Sequence, residues 1–303
     1  AFYNLKNIEA GKGGDERAGD ASLYGGVTRA SRDGDWSESY VVRLIDWHLK
    51  EQETMPWLTG TAYWPFKDFS TPVRPDNPVP YVNQKGVVER DFTPKESYYV
   101  FQSYWTEKPM IHIYGHTWQV RWGGKDDHKE ILVYSNCDEV ELFVNGVSQG
   151  VDRRKSQDYP AAGLRWNCVN LEGMHEIRAV GVKKKEKKEV SDVIRQEYQT
   201  AKWDKEAACQ VSLLSEEGDT ALVQVQLIDK NGIRCLSSKK QITFEIAGDG
   251  SLICNLGTST GSRKVQAYNG RALIRIKRNG GNSLVAVKSE GLPTAFLELK
   301  SPK

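Results

Sequence analysis

"WLTGTAYWPF", residues 57–66, decides the fold. It is a short apolar run, bounded by Pro56 upstream and interrupted by Gly60 and Pro65. A run of this kind is consistent with a strand buried on both faces, as in a parallel sheet. Upstream, Asp35-Trp36-Ser37-Glu38 has the form of a capping box. Tyr40, Val41, Leu44, Ile45 and His48 follow at helical spacing, and Pro56 lies beyond the helix end. Downstream, residues 70–80 hold four prolines and read as a loop. Thr93-Pro94-Lys95-Glu96 then combines a second capping box with Pro at the first helical position, which predicts a helix to about Trp105. Residues 1–107 therefore read as α/β.

The pattern changes after residue 108. "EILVYS" and "VELFVNGVSQG" run apolar or alternate over short lengths, and Asn145-Gly146 is a strong hairpin signal. "HEIRAVGV" is another strand, ending in the charged run "KKKEKKE", which reads as a solvated hairpin tip. Residues 108–200 thus predict a β-sandwich. In residues 201–303, Val223, Val225 and Leu227 alternate with Gln224 and Gln226, and Ile242, Phe244 and Ile246 repeat the pattern. "ALIRIK" and "SLVAVK" supply further strands. A second, immunoglobulin-like sandwich is expected there.

Composition narrows the function classes. The chain has 303 residues, with 39% hydrophobic and 27% charged residues, enough apolar material for real cores. A net charge of +2, with Lys and Arg scattered, argues against nucleic acid as the main partner. No run of 18 apolar residues exists, so no membrane span is expected. Five cysteines without C-x-x-C or paired His spacing predict no zinc site and no cofactor. Single buried thiols are expected, with a Cys137–Cys168 pair left open. Nine Trp and thirteen Tyr suit either a carbohydrate cleft, where rings act as apolar platforms, or large cores.

Three stretches carry candidate chemistry. In "NIEAGKGGDER", residues 7–17, Glu9 precedes a Gly-rich loop; a carboxylate at a strand end suits catalysis, and a surface loop Glu is the plainer reading. In "TAYWPFKDF", residues 61–69, Trp64 would floor a sugar site and Asp68 would orient a neighbour; core and turn roles compete. In "NQKG", residues 83–86, Asn83 offers an amide and Lys85 a positive charge, together suited to a hydroxyl-rich or anionic group; a Gly turn with a solvated Lys is the alternative.

Taken together, "GTAYWPFKDF" and "NQKGVVERDFTPKESYYVFQSYW" resemble the end of the catalytic region in family 2 glycoside hydrolases, the β-galactosidase and β-glucuronidase family. The resemblance implies the last part of a (β/α)8 TIM barrel, strands seven and eight, over residues 1–107. Two β-sandwich domains would follow over 108–200 and 201–303, with "AGDG" forming a turn of the last. It also implies retaining chemistry, in which one carboxyl protonates the leaving oxygen and another attacks the anomeric carbon from about 5–5.5 Å away. Glu9-Ala10-Gly11 is similar to the nucleophile segment, making Glu9 the candidate nucleophile. A rival registration on "SLYGG", residues 22–26, would put Leu23 there instead. No acid/base candidate is found in this chain, so the chain alone is expected to be inactive. Trp64, Asp68, Asn83 and Lys85 are implied as substrate-binding, and an oligosaccharide as the partner. The sugar is expected to be a β-galactoside, with a glucuronide read through Asn83 and Lys85 as the alternative. A non-catalytic polysaccharide-binding protein is a further alternative. A periplasmic or secreted location is expected. Part of a barrel alone would also leave Trp57, Tyr63, Phe66, Tyr99 and Phe101 on open apolar faces.

Overall fold

The computed structural model describes residues 35–75, 77–154, 163–169 and 172–301. Among them are two helices and sixteen strands. Helix α1 (Asp35–Glu53) is followed by a long irregular stretch, a two-residue pair β1 (Phe69–Ser70) and β2 (Val82–Asn83), and helix α2 (Glu96–Trp105). Among the described residues, every regular element after α2 is a strand.

The barrel expectation is overturned. Residues 58–63 have no strand, and Trp57, Trp64 and Phe66 are 74%, 71% and 58% exposed. A doubly buried parallel strand needs partner strands on both edges. Among the described residues none flanks 57–66. The apolar run instead crosses the surface, and the described fold is all-β and multi-sheet, with two helices.

A first β unit follows α2. One sheet has the order β4 (Val120–Trp122), β10 (Lys188–Gln199), β9 (Gly173–Lys183), β6 (Glu139–Val144), β7 (Val147–Asp152). A second has β3 (Ile111–Ile113), β5 (His128–Ser135) and β8 (Gly163–Val169). Ile113, Ile131, Val133, Leu164 and Trp166 from the smaller sheet meet Val140, Leu142, Ile177, Ala179 and Ile194 from the larger one in a single core. Asn145 and Gly146 both take positive φ, 51° and 80°, in the β6–β7 turn, as that dipeptide predicts. The charged run forms the exposed β9–β10 turn. Cys137 and Cys168 both lie in this core as free thiols, so the disulfide left open is not made.

Strand β5 is buried on both faces along its second half. Ile131 and Val133 face the sandwich core, while Leu132 and Tyr134 face α1 and α2. This explains why "EILVYS" runs apolar rather than alternating. On α1, Val42, Ile45 and Leu49 turn inward and His48 is exposed. Of the expected Tyr40, Val41, Leu44, Ile45 and His48, Ile45 is buried, Val41 and Leu44 are half-buried and His48 faces solvent, so the stripe is shifted from the expected one to meet both α2 and β5. Tyr104 of α2 donates a hydrogen bond to the buried Asp46 of α1 (2.9 Å) and ties the helices together.

Helix α2 starts at Glu96, with Lys95 as its cap residue, and the expected capping box does not form. Thr93 turns back to Asp91, donating both its amide (3.2 Å) and its hydroxyl (2.7 Å) to that carboxylate. Glu96 accepts from the Gly115 amide (3.1 Å) and meets His112 (2.8 Å). A buried imidazole from β3 outcompetes the local helix-start amide for the carboxylate.

The second β unit is one sheet, β11 (Glu206–Glu217), β12 (Thr220–Asp229), β15 (Arg271–Ser289), β13 (Gln241–Leu252) and β14 (Lys264–Gln266), with β16 (Ala295–Leu299) on β15. The two expected strands "ALIRIK" and "SLVAVK" are a single 19-residue β15. One edge of it pairs first with β12 and then with β16, while the other pairs with β13. The expected "AGDG" turn is a bulge within β13. There Gly248 has φ 98°, and a Cβ on it would sit 2.4 Å from the Asn282 carbonyl oxygen. Val223, Val225, Leu227, Ile242 and Phe244 are fully buried in the core of this unit. Val79, from the Pro-rich loop, and Val82, of β2, are buried in that same core.

Candidate functional site

The four described candidates converge on one loop. Residues 83–86 run from the end of β2 toward the start of α2, and each is held. The Lys85 amide donates to Asn83 Oδ1 (3.1 Å), an Asx turn. Gln84 Oε1 accepts from the Val79 amide (3.3 Å), and the Gln84 carbonyl accepts from Lys95 Nζ (2.9 Å). The Tyr63 hydroxyl donates to the Lys85 carbonyl (2.8 Å). The Gly86 amide donates to Asp68 Oδ1 (2.8 Å).

Asp68 is the hub. It is 3% exposed and also pairs with Lys95 Nζ at 2.8 Å. Burial pushes its pKa up, against the pull of Lys95 and the Gly86 amide. Burial and the Asp68 charge push Tyr63 up to about 12, which keeps its hydroxyl a donor. Gly86 is required by close approach: a Cβ would lie 2.4 Å from the Asp68 backbone nitrogen. Phe69 pairs with Asn83 across β1 and β2, and the exposed Trp64 packs against Phe69, with ring centres 5.4 Å apart. Asn83 and Lys85 are half-buried. Next to them, Tyr63, Phe66, Val87, Tyr98, Phe101 and Trp105 line an aromatic groove of about 380 Å³. Glu9 and Leu23 lie outside the described residues.

Lys95 and Tyr63 carry the loop's geometry, and the sequence reading gave them other roles. Lys95 reads as part of a helix start and Tyr63 as part of a strand, and nothing in the local pattern marks either as a loop anchor.

Among the described residues one group has metal-type donors, His112, His116 and Asp192. Its geometry is that of a hydrogen-bonded junction. Asp192 Oδ2 already accepts from the Ile113 amide (2.7 Å) and meets His116 Nε2 at 2.7 Å. The two imidazoles are stacked, 4.6 Å apart at 11°, so their lone pairs lie in separate, nearly parallel planes. Tyr99 stacks on the other face of His112 at 3.6 Å. The His116 pKa is raised by its hydrogen bond to Asp192, against burial. Burial raises that of Asp192, but the bonds from His116 and the Ile113 amide outweigh it and the net shift is downward.

An amide and an ammonium on a pinned loop, beside exposed rings, make the kind of surface used to handle carbohydrate. Comparison with known proteins gives the family. Residues 207–298 match the model for "Glycoside hydrolase family 2 C-terminal domain 5", and residues 126–190 match a domain of unknown function, DUF4982. A putative β-glucuronidase of Formosa agariphila is 44% identical over 256 residues, covering 84% of this chain and 31% of that protein. The crystal structure of Parabacteroides merdae β-glucuronidase is 97% identical, with a TM-score of 0.85, covering 89% of this chain and 35% of that one. The β-galactosidase BoGH2A of Bacteroides ovatus is 30% identical over 232 residues, covering 71% of this chain and 25% of that protein. The chain belongs to glycoside hydrolase family 2, as a C-terminal region. It spans between a quarter and about a third of the length of these relatives. No helix among the described residues is long and apolar enough to cross a membrane.

Proposed function

We propose that the chain is part of a retaining β-glucuronidase, and that Asn83 and Lys85 read the carboxylate of the glucuronic acid. This reverses the sequence-based order, which put the galactoside first. The reversal is supported by a glucuronidase relative at 44% and a glucuronidase structure at 97%, against a galactosidase at 30%. The observation that carries the reading is the loop itself. Asn83 and Lys85 are set two residues apart on a loop whose backbone pairs with β1 at Asn83 and is hydrogen-bonded at Gln84, Lys85 and Gly86. A preset ammonium pairs with a carboxylate, and a nearby amide adds a second hydrogen bond. Trp64 contributes an apolar face, and Asp68 holds the loop rather than the sugar.

The roles divide as retaining chemistry requires. One carboxyl attacks and the other protonates the leaving oxygen. Glu9 is our candidate for the nucleophile, and the acid/base residue is assigned to a part of the enzyme outside this chain. The 303-residue chain alone therefore does not turn over substrate.

The test compares p-nitrophenyl β-glucuronide with the β-galactoside in the complete enzyme. Loss of a charged hydrogen bond costs about 1.5–3 kcal/mol. Lys85→Ala should then lower kcat/KM on the glucuronide by roughly ten- to two-hundredfold. The galactoside, which lacks the carboxylate, should change little. Equal losses on both substrates would defeat the carboxylate reading.

A further inference from the structure

We propose that the C-terminal β unit, β11 to β16, is the anchor that sets the position of the Asn83–Lys85 loop, with Arg275 and Ser259 as positioning residues. The inference rests on the reading of Asn83 and Lys85 given above and assigns a task to the β unit behind them.

The loop is bracketed by two attachments to the same body. Before it, Val79 and Val82 are 3% exposed within the core of the β unit, among side chains from β12, β13 and β15. The Gln266 amide of β14 donates to the Pro78 carbonyl (2.7 Å). Within the bracket, buried Asn77 donates to the Val82 carbonyl (2.6 Å). After the loop, Glu89 accepts from the Ser259 amide (3.1 Å). Asp91 pairs with Arg275 of β15 at 2.6 Å. Arg90 lies against Gly257, where a Cβ would meet its Nη1 at 2.5 Å. Each attachment lies within six positions of Asn83 or Lys85, from Val82 next to Asn83 to Asp91 six positions after Lys85, too few for the loop to drift independently. The aspartate that receives Arg275 also binds Thr93, two residues before Lys95, which holds Asp68 and Gln84. The β unit is thus connected to both the flanks of the loop and its hub. Positioning of this kind matters because small misplacements of a binding group far from the chemistry reduce rates.

The test uses the complete enzyme and the two nitrophenyl glycosides. Arg275→Ala and Asp91→Asn delete the same ion pair from opposite sides. Each should raise KM for the glucuronide by roughly threefold or more, the lower range of coupling within one network, with kcat changed less. The galactoside KM should stay within error. Arg275→Lys should recover part of the loss. In the double variant Arg275→Ala/Lys85→Ala, the Arg275 effect should disappear, because no ammonium remains to be placed. The anchor is overturned if both single variants leave the glucuronide KM unchanged, or if they shift both substrates equally. Lys85→Ala alone separates the two ideas. If it fails to distinguish the sugars, the carboxylate reading falls. If it distinguishes them while Arg275→Ala and Asp91→Asn are silent, only the anchor falls.

Discussion

Asp68 illustrates what a single residue does in this protein. It accepts an amide and an ammonium at one oxygen, both at 2.8 Å, from within an almost closed environment. Desolvation is the larger influence on it, so the pair fixes geometry more than it adds stability. Removing one partner is a different matter. Asp68→Ala leaves Lys95, whose side chain is 10% exposed, as a buried charge without its counter-ion. The expected cost is about 3–5 kcal/mol, read as a lower urea midpoint. Asp68→Asn, which keeps an acceptor for Gly86, should cost less. At this scale the Asn-x-Lys-Gly spacing was legible in the sequence, because it is local. Lys95 and Tyr63 were not, because they reach the loop from 11 and 22 residues away, through folding.

Elements show where local rules yield to packing. The Thr93–Glu96 box satisfies every local criterion for a helix start, yet Glu96 serves His112. Strand β5 has both faces covered, so its pattern could not report which face meets the sandwich and which meets the helices. The junction of α2, β3 and β10 also gives a pH dependence. His116 has a raised folded pKa, so its pairing with Asp192 stabilises fully below the ordinary histidine pKa and is lost as pH rises through the raised one. Asp192 has a lowered pKa, so its share is present above the ordinary carboxylate range and lost as pH falls through the lowered value. The melting-temperature advantage of wild type over His116→Gln should therefore be largest near pH 5–6, between the ordinary carboxylate and histidine values, and shrink toward pH 9. His116 is 40% exposed, so the advantage is modest, at most about 1 kcal/mol. A difference that grows with pH would contradict the pairing.

At the scale of the whole molecule, residues 57–66 and the nearby groove carry several of the exposed large rings among the described residues. Trp57, Trp64, Phe66 and Trp105 are all more than half exposed. Rings of that size, clustered in the open, drive association. The 303-residue chain should sediment as self-associating species, and Trp57→Ser with Phe66→Ser should shift it toward monomer. A monodisperse parent chain would show that these rings are tolerated in water.

The sequence alone determined what depends on local φ preference and on side-chain period. That covers the hairpin at Asn145-Gly146, the alternation in β12 and β13, both helices, and a spacing of amide and ammonium that suits an anion. Only the tertiary structure decided whether residues 57–66 pair into a sheet, where Glu96 and Asp68 find their partners, and that Val79 and Val82 belong to the core of a distant β unit. Each of those outcomes depends on segments remote in the chain. An apolar run signals that it needs cover, but the partner that supplies it appears only when the fold brings one there.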